Sequence, residues 1–110
     1  MPNGVFHVTF QSSLATMGEA IAVCDACGVH GANESHAFRG RQDAAGASMV
    51  LELRHLCGEN YPAFGCLPAV TLDLEVTQDT EEGFRAVGTI REASGIKLSV
   101  VAKRLCELVG

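Results

Sequence analysis

The sequence predicts an all-β fold: one domain of about eight short strands, each antiparallel to the next, closing into a barrel. Three observations predict it. Apolar and polar residues alternate with a period of two along most of the chain, the alternating runs recur at short, even spacing, and 12 glycines in 110 residues suit tight turns better than long helices. A meander of this kind leaves two open edges unless it closes on itself, and an eight-stranded barrel is just wide enough to be filled by side chains or to hold one small ligand.

The strands read in order as follows. Phe6, Val8 and Phe10 alternate with His7, Thr9 and Gln11, so Val5 to Gln11 is a half-buried strand. Gly18 to Cys24 is the second, with Ile21 and Val23 on one side and Gly18, Ala20 and Ala22 on the other, a face that permits close backbone approach. Asp25, Ala26 and Gly28 supply turn chemistry before a short strand at Val29 and His30, and Gly31 to Glu34 is the next turn. Ser35 to Arg41 sets His36, Phe38 and Gly40 against Ala37, Arg39 and Arg41. After the small polar stretch Gln42 to Gly46, Met49, Leu51 and Leu53 alternate with Val50, Glu52 and Arg54 in a strand ending near Leu56.

Cys57 to Pro68 contains Gly58, Pro62, Gly65 and Pro68, which break regularity. Val70, Leu72, Leu74 and Val76 then alternate with Thr71, Asp73, Glu75 and Thr77, the pattern of an antiparallel strand with one solvated face. Gln78 to Gly83 reads as an acidic turn, and Phe84 to Arg91 as the returning strand, with Phe84, Ala86, Gly88 and Ile90 on one face. Glu92 to Gly95 is the last turn. From Lys97 two periods compete: Leu98, Val101, Leu105 and Leu108 fit a helix, whereas Leu98, Val100 and Ala102 fit a strand. The expectation is a strand to about Arg104 and a short helical or frayed tail from Leu105 to Gly110.

The order of these motifs resembles the GrlR-type family, the negative regulators of type III secretion and their small relatives. The carriers are Asn3-Gly4-Val5-Phe6 with Phe10, Gly18-Glu19-Ala20-Ile21, Val29-His30-Gly31 through Phe38-Arg39-Gly40, Leu51 to His55, Val70 to Leu74, and Lys97-Leu98 to Ala102-Lys103. The match runs from Asn3 to about Arg104, and it favours strand over helix near Lys97. The resemblance implies an eight-stranded lipocalin-like barrel that forms a homodimer and engages a protein partner. In the family an acidic loop between the fourth and fifth strands engages that partner. Here the loop is Gln42-Asp43-Ala44-Ala45-Gly46, with one acid, while an acidic cluster stands elsewhere, at Asp79, Glu81 and Glu82 beside Asp73 and Glu75. These three are the candidate partner-binding residues, able to steer a basic partner; the plainer expectation is a solvated turn that blunts a sheet edge.

Composition narrows the function classes. Eight basic against 13 acidic residues give a net charge of -5 with no basic run, which argues against nucleic acid as a partner. No apolar stretch approaches the ~20 residues of a bilayer span, and no basic-then-apolar leader opens the sequence, so the expected location is the cytoplasm with no membrane partner. Five cysteines, Cys24, Cys27, Cys57, Cys66 and Cys106, are then expected to be reduced thiols.

Cys24-Asp25-Ala26-Cys27-Gly28, with His30 two residues on, has the spacing of half a zinc knuckle or of a redox dithiol. A structural zinc site needs a fourth ligand. Cys57, Cys66 and His36 lack paired spacing, so buried or turn thiols, with no metal and no cofactor, are the expectation. No Ser or Cys forms a recognisable unit with His7, His36 or His55, and no glycine-rich phosphate loop occurs, so the chain reads as a non-enzymatic binding protein. An interior ligand, small and apolar or amphipathic, is the alternative. Phe6, Val8, Phe10, Leu51, Leu53, Leu72 and Leu74 would line its cavity, with space left by Ala20, Ala22, Ala86 and Gly88; simple filling of the core is the plainer expectation.

Overall fold

The computed structural model describes residues 3–13, 17–26, 28–56 and 69–109. Eight strands follow one another: β1 Gly4–Ser12, β2 Met17–Asp25, β3 Gly28–Ala32, β4 His36–Gln42, β5 Ser48–His55, β6 Ala69–Thr80, β7 Gly83–Ile90 and β8 Ala93–Cys106. Each pairs antiparallel with the next, and β8 returns to pair with β1 through His7↔Lys103 and Thr9↔Val101, so the sheet is a closed barrel. The upper end of this barrel is the one at which β1 finishes and the β3–β4 and β7–β8 turns lie. At the lower end are Gly4, the β4–β5 and β6–β7 turns, and Cys106.

Alternation decides which side chains enter. Phe6, Val8 and Phe10 from β1, Leu51 and Leu53 from β5, Leu72 and Leu74 from β6, and Leu98, Val100 and Ala102 from β8 all belong to one buried cluster. Phe10 meets Phe38 edge to face at 5.5 Å, and Phe6 meets Phe84 at 6.1 Å. Strand β2 turns its small side inward. Ala20 and Ala22 are buried, while Ile21 and Val23 are 47% and 39% exposed. A small barrel with three phenylalanines near this wall has room for alanine there and not for a larger residue. Gly88 answers a similar demand on β7, because a Cβ at that position would run into the Asp73 carbonyl of β6.

Three strands run further than predicted: β3 continues through Gly31 and Ala32, read from the sequence as turn, because both pair with β2 and β4, and β6 and β8 are also longer. β6 continues to Thr80, so the acidic turn shrinks from Gln78–Gly83 to Glu81 and Glu82. A register shift between Val76 and Gln78 is the reason: the bulge ends the alternation while pairing with β7 continues through Asp79↔Phe84. β8 starts at Ala93, after a turn at Arg91 and Glu92, and reaches Cys106. Its last residues find ladder partners, since Val5 pairs with Cys106 and Arg104 N donates to Glu82 O at 2.7 Å. The helical option beyond Leu105 is therefore not taken, and Glu107 to Val109 have no regular structure. No helix long and apolar enough to cross a membrane occurs among the described residues.

Candidate functional site

The lower end carries the charged candidates. Because β6, β7 and β8 extend past the Glu75 level at which β5 begins to pair, their ends form a ledge. Along it runs an open groove of about 770 Å³, bordered by Glu81, Glu82, Arg85, Lys103, Arg104 and Glu107. Arg104 lies with its Nη2 3.8 Å from the Glu107 carboxylate, and its buried Nε has no hydrogen-bond partner among the described residues. Glu81 and Glu82 thus meet on one groove. Asp79, the third predicted member, instead accepts a hydrogen bond from Gln42 Nε2 at 3.1 Å, which ties the β6–β7 hairpin to the end of β4. Asp73 is also engaged elsewhere, in a two-pronged pair with Arg91 at 2.6 and 3.0 Å; the Arg91 hydrogen bonds hold its carboxyl below the usual aspartate range.

The seven predicted cavity-lining residues, Phe6, Val8, Phe10, Leu51, Leu53, Leu72 and Leu74, all point inward and are at most 3% exposed. They pack on one another and on the alanine wall of β2 within a single cluster. Four open grooves lie on the outer wall and at the lower end, and Leu53 alone of the seven borders one of them.

Cys24 and His30 are set apart by the pleat. Cys24 is 1% exposed in the core, and burial pushes its thiol up to about 11, so the thiolate needed for metal binding or redox attack is disfavoured. His30 pairs in register with Val23 and faces outward with it. Cys27 lies outside the described residues, as do Cys57 and Cys66. Among the described residues no three His, Cys, Asp or Glu side chains come together as metal ligands.

The upper end holds a cluster that sequence reading missed. His36 and His55 are register partners across β4 and β5, with ring centroids 5.1 Å apart. Ser35 and His36 are 6% and 4% exposed, and Ser35 Oγ lies 3.1 Å from His36 Nδ1. Asn33 organises them. Its Oδ1 accepts from Ser35 N at 2.9 Å, His36 N at 2.8 Å and Ser35 Oγ at 3.2 Å, while its Nδ2 donates to the Glu19 carbonyl of β2 at 2.8 Å. The two backbone donors fix which end of the Asn33 amide is oxygen, and the Ser35 hydroxyl lies within hydrogen-bond distance of both that oxygen and His36 Nδ1. Burial, and then the charge of His55, hold His36 below the usual imidazole range. The signal available beforehand was the strand phase, which puts His36 with Phe38 and His55 with Leu53 on inward faces.

No family model and no curated protein matches the chain. Among solved structures it is similar to a redesigned β-barrel, at 13% identity and a TM-score of 0.54, with 94% of this chain and 90% of that one covered. That likeness concerns the barrel fold.

Proposed function

We propose that this chain is a non-enzymatic interaction protein that works through protein–protein contact, with the lower ledge as its docking surface. The observation that carries the reading is the division of the molecule. Apolar side chains that would line a ligand cavity pack against one another, whereas Glu81 and Glu82 border an open groove shared with Arg85, Lys103 and Arg104. A wide groove of mixed charge suits a segment of another protein better than an enclosed small molecule, and the charges would set orientation and encounter rate.

The GrlR-type resemblance points the same way. That family places its partner-binding acids between the fourth and fifth strands; here the corresponding β4–β5 turn and the acidic β6–β7 turn share the lower end, joined by the Gln42–Asp79 hydrogen bond. The homodimer implied by the resemblance would use the wall of β1 and β2, where Val5 and Val23 are register partners beside exposed Ile21. A cytoplasmic location belongs to the same reading.

Affinity capture from the native host tests it, using the wild-type chain and a Glu81→Lys/Glu82→Lys variant of unchanged melting temperature. The expected result is one specific protein retained by the wild type and lost by the variant, with light scattering giving a dimer mass for both. Identical captures from the two chains would defeat the docking assignment.

A further inference from the structure

The charges of the lower ledge are arranged in two halves, basic above and acidic below. Gly83 and Lys103 are register partners across β7 and β8, and Arg85 and Val101 are the next pair on the same outer face. Arg85 and Lys103 are therefore diagonal neighbours, both exposed, beside a position that carries no side chain. A Cβ at Gly83 would run into the Ala102 carbonyl, so the gap belongs to the fold. Glu81 and Glu82 stand just below it on the β6–β7 turn, and Leu105, 55% exposed, borders the same groove.

Two cations set side by side repel each other, and an anion between them turns that repulsion into attraction. A carboxylate above Gly83 would lie within reach of both side chains, and the Arg85 guanidinium can take it through two parallel N–H donors. A cation one step lower would meet Glu81 and Glu82. In an extended chain, side chains two residues apart point the same way and stand about 7 Å apart, which matches the short step from Arg85 and Lys103 down to the turn.

We infer that the ledge takes a partner segment presenting a carboxylate and a cation on one side, the carboxylate to Arg85 and Lys103 and the cation to Glu81 and Glu82. This rests on the ledge being a docking surface and adds the chemistry of what docks there. Opposite charges in a fixed order orient the segment as well as attract it, and a segment of one sign would satisfy one half of the groove while being repelled by the other.

The test follows the isotope-labelled chain by NMR as two capped peptides are added, acetyl-Ala-Lys-Thr-Glu-Ala amide and the same sequence in reverse order, each beside a counterpart with Gln for Glu. For at least one order, the Glu peptide should move amides 81–85 and 101–105 and the Arg85 Nε–H signal. It should bind roughly tenfold tighter than its Gln counterpart at low salt, with the difference closing as salt is raised. Arg85→Gln/Lys103→Gln should erase that difference. Equal binding of Glu and Gln peptides in both orders, shifts lying away from the ledge, or a double variant that still prefers Glu would overturn the anchor. The wild-type comparison needs no variant, and it decides if the double variant does not fold. Capture from the native host separates this from the docking reading: a partner lost by Glu81→Lys/Glu82→Lys but kept by Arg85→Gln/Lys103→Gln leaves the docking surface standing and removes the carboxylate anchor.

Discussion

Strand β4 is bracketed by two turns that use the same device in opposite surroundings. At its upper end Asn33 gathers the N–H groups of Ser35 and His36 and the Ser35 hydroxyl on one neutral oxygen. At its lower end Asp43 gathers Ala47 N at 2.9 Å and the Ser48 hydroxyl at 2.8 Å on a charged carboxylate, in a turn that Gly46 closes from a left-handed φ of 75°. The upper turn sits over buried Ser35 and His36; the lower is in water. The difference teaches that a similar gathering of donors by one side chain constrains the fold more where water cannot replace it.

Packing beneath the upper turn should give the largest effect. Phe38→Ala removes the buried ring that meets Phe10, at a cost of about 3–5 kcal/mol by urea unfolding at pH 7.5. A loss below about 1 kcal/mol would mean that the upper end is held by its hydrogen bonds alone. Next comes the comparison itself. Asn33→Ala strands partly buried donors and should cost about 2–3 kcal/mol, whereas Asp43→Ala should move the urea midpoint several times less. Equal shifts would break the proposed asymmetry between the two ends.

Much of the fold was legible in the sequence because burial on one face leaves a period of two. Val5 to Gln11, the Met49 to Arg54 run and Val70 to Val76 all lie inside observed strands with the expected faces inward. Reading failed where the ladder continues without alternation. Gln78 to Thr80 extend β6 past a bulge with both faces exposed, and Leu105 joins β8 although its side chain is 55% exposed. In β2 the pattern was visible, but the larger apolar side chains go outward because of what the neighbouring strands put into the interior.

The site divides the same way. Glu81 and Glu82 were legible as a local acidic run. The meeting of His36 with His55 depends on the register between β4 and β5, set by the β4–β5 turn, where Gly46 N returns to Asp43 O at 3.0 Å. Periodicity gives the face of each histidine and carries no information about that register.

The smallest effect isolates the lower turn. The Ser48 hydroxyl is the leading reason that the Asp43 carboxyl lies below its ordinary 3.8, so Ser48→Ala should raise it toward that value. A carboxyl depressed in the folded state contributes stability above its unfolded pKa, and that contribution fades as the pH falls through the folded one. The variant should therefore lose a little of its stability near neutral pH and respond less to acid below about pH 4, with the His36 titration unmoved. Carbon NMR of the Asp43 carboxyl measures the shift directly. A carboxyl unchanged by Ser48→Ala would assign the depression to the Ala47 and Ser48 backbone N–H groups, and a simultaneous change at His36 would show that the two ends of β4 communicate through the strand.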